Sequence, residues 1–161
     1  MGVSTFVAIM AFLLAPTLAI PQQSSVATSS KTACTTGTRI VTAGYTINFA
    51  KATPTVDSFN GKAYQPDPTW ASKHVMGTDT YGVGLPVESG FAYAQFKCQY
   101  KCNSYRGSSF FVNYEGPASR IGSHCACYDD LLDPDTFVQG NQTVVGAWNS
   151  ICDFCWTCQD E

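Results

Sequence analysis

The sequence predicts an α+β domain, in which a curved antiparallel sheet of about four or five strands carries one helix joined across it by disulfides. Three observations lead to this fold class. All eight cysteines of the 161-residue chain follow residue 33, an even number that suits disulfide pairing. One stretch, "FKCQYKC", spaces two cysteines by four residues, with the periodicity of a helix. A later stretch, "SHCACY", spaces two cysteines by two residues, as on one face of a strand.

Residues 1–19 have the pattern of a secretory signal peptide. The apolar run from Phe6 to Ala15 is too short to span a bilayer, and Pro16 ends it. Thr17 and Ala19 are small residues at the −3 and −1 positions that a signal peptidase recognises. A core helix at the start of the chain is the alternative. No later apolar stretch is long enough to cross a membrane, so we expect the mature protein to be secreted and extracellular.

The mature chain is predicted to be a polar leader, residues 20–33, followed by one disulfide-rich domain, residues 34–161. The leader is rich in Ser and Thr with few bulky residues, so it cannot bury enough surface to fold. Seven acids and no Lys or Arg follow residue 128, whereas residues 31–128 hold nine bases and five acids. These bases lack the clustering of a nucleic-acid footprint, and the acidic end is interpreted as a solvated edge.

The first predicted element of the domain is a half-buried strand in "TRIVTAGYTINFA", where Tyr45, Ile47 and Phe49 alternate with polar residues. Residues 51–88 are interpreted as loop with at most one or two short strands, because prolines and glycines are spread through them. Within this segment, "FNGKAYQPDPTW" is expected to form a turn or loop around Asn60.

A helix is predicted from Ser89, as its N-cap, to just before Gly107. Its apolar face recurs at three- and four-residue steps through Phe91, Ala94, Cys98, Cys102 and Tyr105. Two strands follow in "SSFFVNYE" and "SHCACY", the first with Phe110, Val112 and Tyr114 on one side. After the turn-rich "DDLLDPD", the segment "QTVVGAW" is predicted to be another short strand.

The two cysteine spacings are predicted to be complementary. Cys98 and Cys102 share a helical face, with Cβ atoms roughly 5–6 Å apart. Cys125 and Cys127 share a strand face, about 6.6 Å apart. A disulfide requires Cβ atoms about 3.5–4.5 Å apart, so neither pair easily closes on itself. A helix laid across the strand would form two parallel disulfides, with the partners left open; pairing with the C-terminal cysteines is the alternative.

Cys34 is then expected to join one of three C-terminal cysteines, leaving one more bridge within that trio: Cys152, Cys155 and Cys158. The spacing in "CDFCWTC" would also suit zinc. In an oxidising compartment, however, cysteines form disulfides, so we predict no metal and no cofactor.

These motifs resemble the PAN/apple domain. The resemblance covers about residues 80–140 and rests on a helix with C-x3-C, the aromatic strand "SSFFVNYE" and the strand "CACY", in that order. The chain is similar to small secreted cysteine-rich PAN-like proteins of filamentous fungi, in which disulfides join a helix to the central antiparallel sheet. It departs from the family at Ser108 and Ser109, where a cysteine is usual, and at Cys127, where leucine is common. The resemblance implies a noncatalytic module that binds a carbohydrate or a protein.

We therefore expect a secreted, monomeric module that binds an extracellular carbohydrate or protein, with no nucleic-acid partner and no catalytic residue. His74 and His124 are the only histidines of the sequence, and neither accompanies a nucleophile or paired-histidine motif. Two alternatives stay open. One is an effector that acts on a host or competitor target, and the other is a small secreted hydrolase.

Trp70 and Tyr81 are the predicted ligand contacts, because aromatic side chains bury a large area with little loss of entropy. Packing within a small sheet would account for both residues as well. Asn141 is the predicted acceptor of an N-linked glycan, since Asn141-Gln142-Thr143 fits the acceptor sequence.

Overall fold

The computed structural model describes residues 33–54, 63–142 and 144–154. Two α-helices and nine strands lie within these ranges. The helices are α1, Pro68–His74, and α2, Val87–Ser104. The strands are β1 Ile40–Thr42, β2 Tyr45–Ile47, β3 Phe49–Lys51, β4 Tyr64–Gln65, β5 Val75–Tyr81, β6 Ser109–Tyr114, β7 Ser123–Tyr128, β8 Val138–Gln139 and β9 Val144–Ser150.

Five strands form one antiparallel sheet in the order β3-β9-β6-β7-β5, and β1–β2 and β4–β8 form two smaller sheets. The predicted α+β class is therefore confirmed, as is a multi-stranded antiparallel sheet with a helix joined to it by disulfides. Each side of the large sheet carries its own buried cluster. We call the side covered by α2 the helix face and the other side, which packs against α1 and β4, the opposite face.

Successive side chains of β6 and β7 lie alternately on the two faces of the sheet. Phe110 and Val112 lie on the helix face with Cys125 and Cys127, whereas Phe111 packs into the cluster on the opposite face. Both strands occupy the segments predicted for them, and all their neighbours are antiparallel. The sheet is thus buried on both sides over its centre, which explains the nearly continuous apolar sequence of β6.

Helix α2 begins earlier than predicted. Its N-cap is Pro86, and the first helical bond runs from the Gly90 N–H to the Pro86 carbonyl oxygen at 2.7 Å. The prediction that Ser89 is the N-cap is wrong, because this residue lies inside the first turn and its hydroxyl donates back to Pro86 at 3.3 Å. The predicted end is confirmed: Arg106 adopts φ 58°, and the Gly107 N–H donates to the Cys102 carbonyl oxygen at 2.8 Å, which closes the last turn.

Two disulfides join α2 to β7, as the cysteine spacings predict. They are Cys98–Cys125, with Cα atoms 5.8 Å apart, and Cys102–Cys127, with Cα atoms 5.2 Å apart, which settles the partners that the sequence left open. All four cysteines are fully buried. Their Sγ atoms lie within 4.8 Å of one another, but sulfurs joined in disulfides are not the thiolates that bind metals.

A third disulfide, Cys34–Cys152, joins the two ends of the described chain, as expected for one cysteine of the C-terminal trio. Beside it, Thr35 forms a parallel bridge with Ile151. The predictions for Cys155 and Cys158 lie outside the described residues. Three disulfides are typical of extracellular proteins. In the part of the chain described, neither helix has the length and apolar character needed to span a bilayer.

The segment predicted as loop before α2 contains a helix and a full strand. Asp67 caps α1, since its Oδ1 accepts the N–H groups of Thr69 and Trp70, each at 2.9 Å. The interpretation of residues 51–88 as loop with at most one or two short strands was therefore wrong, because it left out α1. Strand β5 then pairs along β7 at the edge of the large sheet, with a register shift between Val75 and Gly77. The turn predicted around Asn60 lies outside the described residues.

The predicted N-terminal strand is two strands of a hairpin followed by a third strand in another sheet. Ala43 and Gly44 take positive φ values of 46° and 83°, the backbone of a tight two-residue hairpin turn. The hairpin ends where the Asn48 N–H donates to Gln99 Oε1 of α2 at 2.8 Å. Phe49 then starts β3, which pairs with β9.

Candidate functional site

A cleft with a volume of about 160 Å³ opens on the opposite face of the sheet. Its floor is formed by neighbouring strands, because Asn113 of β6 pairs with Val145 of β9 and both side chains line the cleft beside Phe111. Its wall comes from β4 and from the segment after β8. The wall residues are Tyr64, Gln65, Gly140, Asn141 and Gln142.

The wall is held in place by the β4–β8 pair. Tyr64 pairs with Gln139, and the Gly140 N–H donates to the Ala63 carbonyl oxygen at 2.9 Å. A Cβ atom added at Gly140 would lie 3.0 Å from the backbone carbonyl of Tyr64, so glycine permits this close approach. The Tyr64 ring also packs on Phe137, with ring centroids 5.2 Å apart, which anchors the wall to the core of the opposite face.

The lining of the cleft is polar but uncharged. It combines two aromatic rings with four carboxamide side chains, and no described residue in the lining is an acid, a base or a histidine. The amides are Gln65, Asn113, Asn141 and Gln142. Burial raises the pKa of Tyr64 to about 12, so its phenol stays protonated at physiological pH. The site can therefore offer dipoles, hydrogen bonds and aromatic surface, but no formal charge.

The volume of the cleft limits the size of any ligand that could enter it. At about 30 Å³ per water, its volume corresponds to roughly five water molecules. It is smaller than the roughly 300–1,000 Å³ of pockets that enclose drug-sized ligands. This volume suits a single ring, such as one sugar residue at the end of a chain, and does not suit an extended polymer.

The floor of the cleft is partly fixed by hydrogen bonding. Oδ1 of Asn113 accepts the backbone N–H of His124 at 3.3 Å, which limits rotation of this amide. Asn113 is partly exposed and Asn141 is exposed, so both carboxamides can reach a ligand that enters from solvent. An oriented amide can donate to one hydroxyl group and accept from its neighbour.

The two predicted ligand contacts lie on different sides of the sheet. Trp70 is partly buried on the opposite face, stacked on His74 with ring centroids 4.7 Å apart and packed beside Tyr128. Tyr81 packs against the buried cluster of the helix face, and its hydroxyl donates to Asp79 Oδ2 at 2.9 Å. The structure does not bring Trp70 and Tyr81 together, and neither lines the cleft. Their role in binding stays a prediction.

Asn141, the predicted glycan acceptor, lies in a bend directly after β8 and lines the cleft. Its side chain is exposed and thus accessible to modification. Thr143, which completes the acceptor sequence, lies outside the described residues. Glycosylation itself stays a prediction.

The two histidines are separated along the sheet. His74 ends α1, where its Nδ1 lies 2.8 Å from Asp129 Oδ1. His124 lies on β7, four positions before the Tyr128 that precedes this aspartate, a distance of roughly 13 Å along a strand. The structure thus does not bring the two imidazoles to one site.

Sequence reasoning missed the amides of the cleft, because Gln and Asn in short strands and bends give no periodic signal. It also missed an aromatic strip on the outer side of α2. The strip comprises Tyr93, Phe96 and Tyr100 with Tyr45 of the hairpin, and Tyr100 is 56% exposed. A second apolar stripe at three- and four-residue steps, opposite the cysteine face, was the available signal.

Comparison with known proteins gives no match, whether to a protein-family model, to a curated protein or to a solved structure. The candidate site is therefore defined by its geometry and chemistry alone.

Proposed function

We propose that this chain is a secreted, noncatalytic PAN/apple-like module that binds an uncharged carbohydrate in the cleft. The observation that carries the proposal is the lining itself, in which four carboxamides and two aromatic rings surround a space of about 160 Å³ without a charged group. A sugar ring presents neighbouring hydroxyl groups at its edge and C–H groups on its faces. The amides can satisfy the hydroxyl groups, and the small exposed parts of the two rings can contact the C–H groups.

Secretion is supported by the apolar leader of residues 1–19 and by the three disulfides. The motif order that resembles PAN/apple domains supports a binding role without catalysis. The neutral lining should also favour binding of uncharged sugars over acidic sugars. An acidic sugar would lose hydration of its carboxylate in the cleft, where no described cation compensates for it.

Calorimetric titration of the oxidised mature chain tests this function directly. The chain is produced in a secretion host that adds no N-glycans and is titrated with soluble oligosaccharides derived from chitin, from glucan and from polygalacturonate. We expect saturable binding of at least one uncharged series and no binding of the acidic series. Binding of the acidic series alone, or of none, would contradict the proposal.

A matched pair of variants locates the site. Gln142→Ala removes a lining amide, whereas Gln139→Ala removes an exposed amide of β8 that does not line the cleft. One hydrogen bond contributes about 0.5–1.5 kcal/mol, so Gln142→Ala should weaken binding about two- to twelvefold. Gln139→Ala should leave the affinity unchanged. Equal effects of the two substitutions would place the ligand elsewhere.

A protein ligand is the second candidate, and the aromatic strip on α2 favours it. Tyr and Phe side chains are enriched in the cores of protein interfaces, and Tyr100 is the most exposed member of the strip. Tyr100→Ala should leave sugar binding intact under the first proposal. If a protein ligand is the true partner, this substitution weakens capture of that partner while Gln142→Ala does not.

A further inference from the structure

The acceptor residue for N-glycosylation is part of the cleft wall. Asn141 lines the cleft together with its neighbours Gly140 and Gln142, and the base of this segment is fixed to β4 through Ala63 and Tyr64. A glycan joined to Asn141 Nδ2 would therefore start at the edge of the cleft. An acceptor remote from the cleft would impose no such constraint.

The first residues of an N-glycan belong to the class of ligand that the cleft suits. They are uncharged pyranose rings with hydroxyl and acetamido groups. The neighbouring amides of Asn113 and Gln142 can pair with these groups, while the rings of Tyr64 and the largely buried Phe111 add only a small apolar area. The chemistry of the lining would therefore suit a free sugar and the chain's own glycan alike.

We propose that glycosylation of Asn141 closes the cleft, because the attached glycan occupies it and excludes free sugars. This inference rests on the proposed function, since it assigns a means of regulation to the same site. The unmodified chain is the form that binds external ligand, and the modified chain is self-occupied. No bond within the sheet has to change for the switch between the two states.

Tethering makes this competition effective. A ligand on a short tether reaches a millimolar effective concentration, and the covalent link to Asn141 is short. With an effective concentration on the order of 10 mM and a dissociation constant on the order of 1 mM, about nine-tenths of the clefts are occupied. A free sugar then binds about tenfold more weakly.

The experiment compares four full-length chains secreted by a glycosylating host: wild type, Thr143→Ala, Thr143→Ser and Asn141→Gln. Thr143→Ala abolishes the acceptor sequence but keeps the Asn141 side chain, whereas Thr143→Ser keeps the acceptor sequence. Asn141→Gln removes the acceptor by a second route while retaining an amide. Intact mass reports occupancy, and calorimetric titration with N,N′-diacetylchitobiose and with a glucan disaccharide reports binding.

We expect Thr143→Ala, which keeps every lining side chain, to bind about tenfold more tightly than wild type and Thr143→Ser, which should carry the glycan and match each other. Asn141→Gln should also bind more tightly than wild type, but less tightly than Thr143→Ala, because it moves one lining amide. Equal affinity of the glycosylated and unglycosylated chains would overturn the inference while leaving the proposed function intact. Absence of a glycan mass on Asn141 in the wild type would overturn it as well. If no folded chain binds either sugar, the inference and the proposed function both fail.

Discussion

The two faces of the large sheet are built differently. On the helix face, two disulfides cross between α2 and β7, and the four cysteines are fully buried in one cluster with Phe110. On the opposite face, the described cover consists of α1, β4, β8 and the connecting loop, and it includes no disulfide. The cleft lies on this opposite face. Because the disulfides of the helix face stabilise the domain, the opposite face can leave part of its surface without packed side chains.

Carboxamide side chains show the same contrast. Gln99 on the helix face is 1% exposed and fully engaged, with Oε1 bound to the Asn48 N–H and Nε2 bound to the Thr46 carbonyl oxygen, each at 2.8 Å. Gln142 in the cleft is partly exposed. A buried amide has to be paired within the protein, whereas an amide at a cleft edge is paired with water that a ligand can replace.

The largest expected effect comes from removing both disulfides of the helix face. Each closes a loop, of 27 and 25 residues in sequence separation, and closing the first stabilises the fold by about 3.5 kcal/mol. The second adds about 2–3 kcal/mol, because it closes a smaller additional loop. The sum is comparable to the whole stability of a small domain. We expect the chain with all four cysteines replaced by Ala to lose cooperative urea unfolding.

A matched variant tests that expectation. Cys98→Ala with Cys125→Ala removes one disulfide and leaves Cys102–Cys127 in place, so cooperative unfolding should persist with a loss of about 2–3 kcal/mol. If the chain lacking both disulfides unfolded cooperatively and its free energy of unfolding fell by less than about 2 kcal/mol, the helix face would not be the face that stabilises the domain.

A smaller effect on stability is expected from removing the buried carboxamide of Gln99, and almost none from removing the cleft carboxamide of Gln142. Gln99→Ala leaves the Asn48 N–H and the Thr46 carbonyl without their partner, at a cost of about 2 kcal/mol in the free energy of unfolding. Gln142→Ala should change stability by less than about 0.5 kcal/mol, because the site is partly exposed. Urea denaturation of both variants checks this. Equal losses would mean that the cleft amide is also structural.

The smallest expected effect concerns an ionic contact at the edge of the helix face. The hydrogen bond from the Thr80 backbone N–H, the Tyr81 hydroxyl and the nearby Lys101 together lower the pKa of Asp79. A lowered folded-state pKa gives stability that is present above the unfolded value of about 3.9 and is lost as the pH falls through the folded value. Because more than a third of the Asp79 side chain is exposed to solvent, its contribution should be only a few tenths of a kcal/mol.

The measurement for Asp79 is a comparison of the wild type with Asp79→Asn by urea denaturation between pH 6 and pH 3, about the range over which the carboxyl titrates. The wild type should be slightly more stable at pH 6, and the difference should shrink below about pH 4. A difference that grows on acidification would show that the carboxylate is not favoured in the folded state.

Much of the helix face could be predicted from the sequence, because residues that share a face of a helix or of a strand recur at regular spacings. Cysteines four apart on a helix and two apart on a strand fix which sides meet, and the structure pairs Cys98 with Cys125 and Cys102 with Cys127. The start of α2 was missed because the backbone of Pro86, rather than the Ser89 hydroxyl, opens the helix. A cap formed without a side-chain bond leaves no residue signature.

The edge strand β5 and the short strands of the opposite face were harder to predict. β5 is a polar edge strand interrupted at Gly77, where the Tyr105 ring lies so close that an added Cβ would be 2.7 Å from it. The two-residue strands β4 and β8 are strands only because they pair with each other, and the paired residues are more than 70 positions apart in the sequence. The cleft follows from that long-range pairing, so local sequence patterns do not reveal it. The start of α1, in contrast, could have been predicted, because an Asp at the N-cap followed by Pro at the first helical position is a common helix start.

The most direct test of the central claim, that ligand binding belongs to the opposite face of the sheet, is an NMR titration of side-chain amides. The ¹⁵N-labelled Thr143→Ala chain is titrated with an uncharged oligosaccharide while the carboxamide resonances are followed. We expect the resonances of Gln65, Asn113 and Gln142 to shift and saturate together, while those of Gln95 and Gln99 stay in place. Shifts confined to Gln95, Gln99 and the backbone of α2 would contradict the account.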